Sequence, residues 1–241
     1  MIEVVNLIKA YQNEIVLDIE ELKIEKGELL GLVGNNGAGK TTFFNLVLDL
    51  IVPSKGHVVS QGITVQQSED WKSFTGAFID ESFTIGYLTP DEYFAFVGDL
   101  RHMNQSDREL HLAAFDDFFN GEIRGKKKFI RDLSKGNQKK VGIATAMMGN
   151  PEVVVLDEPF ANLDPSSQYK LRGLIKKQSA GHGTTFLISG HTLDNITEVC
   201  SRIVILEKGK IVKDVSKTEH TLKELEDFFA GVVVVETFNL E

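Results

Sequence analysis

The run Gly34-Asn35-Asn36-Gly37-Ala38-Gly39-Lys40-Thr41 constrains this chain more than any other stretch. It reads G-x-x-x-x-G-K-T. The apolar stretch Leu29-Leu30-Gly31-Leu32-Val33 precedes it, and Thr42-Phe43-Phe44-Asn45-Leu46-Val47-Leu48 follows and opens a helix. Strand, Gly-rich turn and helix in that order form a phosphate-binding loop. Glycines let main-chain N–H groups close on an anion, and the helix N-terminus favours negative charge. Lys40 supplies a flexible point charge for the β- and γ-phosphates, and the Thr41 hydroxyl suits Mg²⁺.

Composition narrows the class. The chain has 241 residues, 42% apolar and 25% charged, as an ordinary globular protein has. Its formal charge of −9 opposes a general nucleic-acid binder, and also docking on anionic lipid by charge alone. The lone Cys200 excludes an intrachain disulfide and suits a reducing compartment. The N-terminus lacks a signal-peptide pattern. No apolar run reaches the roughly 18 residues of a spanning helix, so a soluble chain is expected, with any membrane role exercised through a partner.

Read in order, residues 2–8 form an edge strand and Tyr11 a turn, followed by two short strands at 15–17 and 22–24. After the phosphate loop and its helix, Pro53 to Gly56 is a turn, and 57–60 and 75–79 are strands. From about Glu81 the character changes to Phe-rich helices at 89–103 and 106–120, a solvated basic turn at 124–128, and a helix at 136–149. Thr89-Pro90-Asp91-Glu92 starts the first of these with an N-cap and Pro at N1. Then α/β alternation resumes: strand 153–156, helix 165–180, strand 184–188, helix 191–200, strands 203–206 and 211–215, and an amphipathic helix at about 218–230 before a β-branched tail at 232–235. The plan is one domain over 1–241. An α/β core at 1–80 and 151–231 is interrupted by a helical insert at about 81–150, and 232–241 forms a tail.

Val153-Val154-Val155-Leu156-Asp157-Glu158 is an apolar strand ending in two acids. Its first acid falls at the sheet edge beside the phosphate loop, where Asp157 would bind Mg²⁺. Glu158, one residue on, points to where a general base for in-line hydrolysis belongs. Leu133-Ser134-Lys135-Gly136-Asn137-Gln138 begins a helix with Ser134 as the cap candidate.

GNNGAGKTT, LSKGNQ, VVVLDEP, ANLD and a lone His191 after Leu187-Ile188-Ser189-Gly190 stand in the order found in ABC-type ATPases. The chain resembles a nucleotide-binding subunit of an ABC transporter over essentially its whole length. The resemblance implies an α/β P-loop NTPase, RecA-like, with an antiparallel β subdomain and an inserted α-helical subdomain. It implies ATP and Mg²⁺ as ligands, and ATP hydrolysis by a head-to-tail dimer with a second ATPase subunit. It also implies an integral-membrane partner, with this chain cytoplasmic and peripheral on the inner face of the membrane. By the same likeness Tyr11 stacks on adenine, and the loop from Gly34 to Thr42 holds the phosphates. Ser134 and Gly136 contact the nucleotide of the other subunit, and Leu163-Asp164 join the two sites. His191 stands near the γ-phosphate. The insert meets the membrane subunit, around Tyr93, Phe94, Phe96 and Val97 and the segment 81–88.

Two departures stand out. The signature reads LSKGN rather than LSGGQ, with Lys135 where glycine is common. The family's Gln after the strand at 75–79 is replaced by Asp80, with Glu81 next. Either acid could hold Mg²⁺ or water, but neither donates as Gln does. Two rivals remain: an ABC ATPase acting on DNA or the ribosome, which usually carries coiled coils or paired cassettes, and a small-molecule kinase, which leaves LSKGN and His191 without a role.

Overall fold

In the computed structural model, residues 1–12 and 14–238 are described. The chain opens with β1 (Ile2–Tyr11) and β2 (Glu14–Ile24), then β3 (Leu29–Val33), α1 (Lys40–Val47), β4 (Lys55–Ser60), β5 (Ile63–Thr64) and β6 (Thr75–Phe78). Four helices follow: α2 (Pro90–Leu100), α3 (Gln105–Ala114), α4 (Asp116–Phe119) and α5 (Lys135–Ala146). The remainder is β7 (Val153–Leu156), α6 (Pro165–His182), β8 (Thr185–Gly190), α7 (Leu193–Val199), β9 (Arg202–Glu207), β10 (Lys210–Ser216) and α8 (Thr221–Phe238).

Two sheets organise these elements. One is antiparallel, in the order β2-β1-β4-β5. The other runs β10-β9-β3-β8-β7-β6, parallel except for the β10 edge. Its central strands are buried on both faces, so alternate residues feed different cores. Val154 and Leu156 pack with α5, α6 and α7 through Val141, Ile175 and Ile196. Val153 and Val155 pack with α1 and the antiparallel sheet through Phe43, Phe44, Leu17 and Ile19. All the parallel strands therefore end at one edge, and the phosphate loop leaves β3 there. Binding at the carboxyl edge is the rule for open α/β sheets.

Several boundaries differ from the sequence reading. Residues 14–24 form one strand, because pairing with β1 in one register, from Ile2 opposite Ile24 to Lys9 opposite Leu17, carries the chain through Asp18, Glu20 and Glu21 without a break. The helix expected at 106–120 divides at Phe115, and the one at 136–149 ends at Ala146. The last helix runs through the β-branched positions 232–235 to Phe238, while residues 239–241 of the proposed tail lie outside the described residues. Thr89 forms a full capping box with Glu92 at the start of α2. Phe94 is 1% exposed and stacks on Phe119 inside the insert, so it belongs to the core and not to a docking face. Tyr93 and Val97 also pack against that core, whereas Phe96 is exposed.

Candidate functional site

The loop 34–39 delivers α1 with its first N–H groups uncapped by any side chain. Gly39 occupies the N-cap at φ 106°, and a Cβ there would stand 3.0 Å from the Val16 carbonyl oxygen. Only glycine takes this turn without strain. Asn35, Asn36 and Gly37 are exposed, Gly34 and Ala38 are buried, and Thr42 lies partly covered in the first turn of α1. Lys40 is nearly inaccessible. Its ammonium donates to the carbonyls of Gly34 (2.7 Å) and Asn35 (3.3 Å) and lies 3.6 Å from Glu158 Oε1. Uncapped amides around a held ammonium form a cradle for phosphate.

β7 brings Asp157 and Glu158 to the same edge. The Thr41 hydroxyl donates to Asp157 Oδ2 at 2.6 Å, and the Ser189 hydroxyl donates to Asp157 Oδ1. Burial pushes the Asp157 carboxyl up, and the bonds from Ser189 and Thr41 offset this in part. Ser189 also accepts from the Glu158 N–H at 2.8 Å. Glu158 turns through φ 47°, its Oε2 is 2.8 Å from His191 Nδ1, and its carbonyl accepts from Lys139 Nζ at 2.8 Å. His191 sits on the exposed turn between β8 and α7. Lys40, Thr41, Asp157, Glu158 and His191 thus converge, although 151 positions separate Lys40 from His191 in the sequence.

The remaining predicted residues lie around this cluster. Tyr11 ends β1, half exposed, with the Lys9 ammonium 4.7 Å from its ring centroid. β2 runs on to touch the phosphate loop through Val16 and Leu17 at Gly39. Ser134 is exposed and caps α5 by accepting from Asn137 N–H. A Cβ on Gly136 would press on the Asn162 carbonyl at 2.9 Å, so the signature turn packs against the 158–164 loop of its own chain. Asp164 caps α6 with both carboxylate oxygens on Ser167, which holds its carboxyl below the usual range. Asp80 is exposed and accepts from the Ser82 N–H at 2.6 Å. Glu81 lies 3.9 Å from Lys135 Nζ.

Sequence reasoning missed Ser189 and Lys139. The signal for Ser189 was a hydroxyl following the apolar run Phe186-Leu187-Ile188 in a fully buried strand, which must find a partner. For Lys139 it was a charge inside a helix buried continuously from Gln138 to Ala146.

Comparison with known proteins identifies the family. The family model described as ABC transporter matches residues 17–161. The bacitracin transport ATP-binding protein BcrA of Enterococcus faecalis is 33% identical over 221 residues, covering 91% of this chain and 70% of its own length. An uncharacterised ABC transporter ATP-binding protein of Methanocaldococcus jannaschii is 33% identical, covering 88% and 76%. Another from Synechocystis is 32% identical over 84% of this chain, which spans only 57% of that relative's length. Among solved structures, an ATP binding subunit of an ABC transporter superposes with TM-score 0.79 at 26% identity, covering 90% of each chain. The bacterial ABC transporter cassette MJ0796, solved as a dimer, superposes with TM-score 0.79 at 25% identity, covering 90% of this chain and 99% of that one. A family match over residues 17–161, with relatives a third identical over 88–91% of the chain, means that this chain belongs to the ABC transporter family of ATP-binding proteins.

Proposed function

We propose that this chain is the ATP-hydrolysing subunit of an ABC transporter, working as a head-to-tail pair of cassettes beneath a separate membrane subunit. The observation that carries the reading is the convergence of Lys40, Thr41, Asp157, Glu158 and His191 at one sheet edge. The uncapped amides of α1 and the Lys40 ammonium bind the β- and γ-phosphates of ATP, and Tyr11 stacks on the adenine. The donor set suits Mg²⁺: a hydroxyl and a carboxylate oxygen stand 2.6 Å apart at the phosphate cradle, and this ion takes few protein ligands beside phosphates. Thr41 and Asp157 hold it, and when bound it neutralises charge on the phosphate oxygens. Asp80, with one oxygen on Ser82, stands as an outer member; loss of Mg·ATP binding in Asp80→Ala would make it a primary ligand.

Glu158 takes the proton from the attacking water, and His191 orients the Glu158 carboxylate and faces the γ-phosphate. Ser134 and Gly136 of each chain close on the nucleotide of the other, with Asp164 and its loop lying between the sites. Hydrolysis removes that bridge and lets the pair open, a local charge change driving a two-state element. Among the described residues no helix is long and apolar enough to cross a membrane. The partner docks at a groove between core and insert lined by Leu48, Leu50, Trp71, Ala77, Ile79 and Phe83, where Leu50 and Phe83 are about half exposed. On this reading the chain works at the cytoplasmic face of the membrane, held there by its partner.

The test is phosphate release from Mg·ATP by the purified chain without any acceptor, with and without DNA. Turnover that is independent of DNA and lost in Lys40→Ala is expected. Turnover that requires a small-molecule acceptor would identify a kinase instead. Crosslinking from positions 81–88 in cells should capture a membrane protein; capture of soluble proteins alone would overturn the transporter assignment.

A further inference from the structure

Helix α5 carries two adjacent lysines that are almost inaccessible, Lys139 at 5% and Lys140 at 3%. A buried ammonium needs partners. Lys140 turns into the insert, where Glu122 lies 3.7 Å away and its Nζ sits 5.7 Å from the centre of the Phe118 ring. Lys139 leaves the insert altogether. Its Nζ reaches the Glu158 carbonyl oxygen at 2.8 Å. Among the described residues it forms no ion pair at contact distance. Burial pushes its pKa down, while Glu81, Glu158 and Asp157 favour its charged form from further off.

The carbonyl that Lys139 holds belongs to a strained residue. Glu158 has φ 47°, in the left-handed region that non-glycine residues enter at a cost. Such a conformation persists only where neighbours over-determine it. Here Ser189 Oγ accepts from the Glu158 N–H, and the Glu158 carbonyl accepts from Lys139 Nζ at 2.8 Å and, more loosely, from the Ala161 N–H at 3.2 Å. The peptides on both sides of its Cα are thus fixed, with Lys139 the one side-chain donor on the carbonyl among the described residues.

We propose that Lys139 is a positioning residue for Glu158: it holds the backbone turn that presents the carboxylate between Lys40 and His191. The helix that carries it is the one Ser134 caps, so one hydrogen bond links the signature turn to the hydrolytic carboxylate of the same chain. A displacement of α5 moves the Glu158 peptide with it. This rests on Glu158 being the base, and the experiment below reads the two assignments separately.

Lys139→Met keeps the length of the side chain and removes donor and charge. Lys139→Gln keeps a donor without the charge. Phosphate release gives kcat and KM for Mg·ATP, and thermal unfolding gives Tm. In Lys139→Met, kcat is expected to fall about 10- to 100-fold, the equivalent of one charge-assisted hydrogen bond. KM should stay within about twofold and Tm should be unchanged or higher, since a buried cation has gone. Lys139→Gln should recover part of kcat. Added to Glu158→Gln, Lys139→Met should lower single-turnover hydrolysis little further, because both act through one residue. Wild-type kcat in Lys139→Met, an effect confined to KM, a shared loss of Tm, or losses that multiply fully in the double variant would each overturn the proposal. Near-normal turnover in Glu158→Gln alone would remove the base assignment, and Lys139 as its positioner with it.

Discussion

His191 Nδ1 lies 2.8 Å from Glu158 Oε2, while the other oxygen of the same carboxylate lies 3.6 Å from Lys40 Nζ. One carboxylate is thus held between the Lys40 ammonium and an imidazole. His191→Ala should keep Mg·ATP binding and lower kcat about tenfold or more, because orientation of the base is lost while the base remains. Isothermal titration beside phosphate release separates the two. A pure loss of affinity would show that His191 serves binding alone.

Glu158→Gln should separate binding from chemistry. Glutamine is nearly isosteric but takes no proton from water, so turnover should fall by about 10²–10⁴. ATP then persists as a bridge, and Mg·ATP should convert monomer to dimer in light scattering. Ser134→Arg in that background should abolish the dimer and leave nucleotide binding to the monomer intact. A dimer that survives this change would move the cross-subunit contact away from the signature turn.

Asp157→Asn should stabilise the nucleotide-free protein while disabling it. Burial holds the folded carboxyl above its usual range. The folded state then binds the proton more tightly than the unfolded one, so stability falls as pH rises from the ordinary carboxylate range through the folded value. At neutral pH the ionised, buried group opposes folding. The asparagine variant should show a higher Tm than wild type at pH 7, a smaller difference at pH 4, and no Mg²⁺-dependent gain in ATP affinity. A lower Tm at pH 7 would mean that the bonds from Thr41 and Ser189 outweigh the burial.

Ser189→Ala removes one hydroxyl that serves two neighbours, the Asp157 carboxylate and the Glu158 N–H. Leaving buried groups unpaired costs about 1–3 kcal/mol, more for a charge. Chemical denaturation should show that loss, and kcat should fall with it. Unchanged stability would mean that water replaces the hydroxyl.

The phosphate loop was legible because its chemistry is local: glycines, Lys40 and Thr41 act within one turn, and the flanking strand and helix are contiguous with them. The placement of Asp157 and Glu158 beside that loop was legible because an apolar run ending in acids reads as a buried strand that delivers them to the sheet edge. Ser189 and Lys139 were not, since each acts on a main-chain or side-chain atom that arrives from another strand or helix. The sequence also overstated the outward role of Phe94, because a phenylalanine in an amphipathic helix reads alike whether its face meets another helix or solvent. The single strand β2 read as two short ones, at 15–17 and 22–24, because the register that carries it through residues 18–21 is set by pairing with β1 and not by its own residues.

The order β3-β8-β7 has a consequence for synthesis. The loop carrying Lys40 follows β3 and the acids follow β7, yet these strands are not neighbours; β8, made later, lies between them. A nascent chain that has emerged only as far as Glu158 holds Lys40, Thr41, Asp157 and Glu158 and still lacks the strand that sets their separation. Nucleotide should therefore protect ribosome-stalled chains from protease only once Gly190 has cleared the exit tunnel, which makes acquisition of ATP a late checkpoint in the birth of this protein.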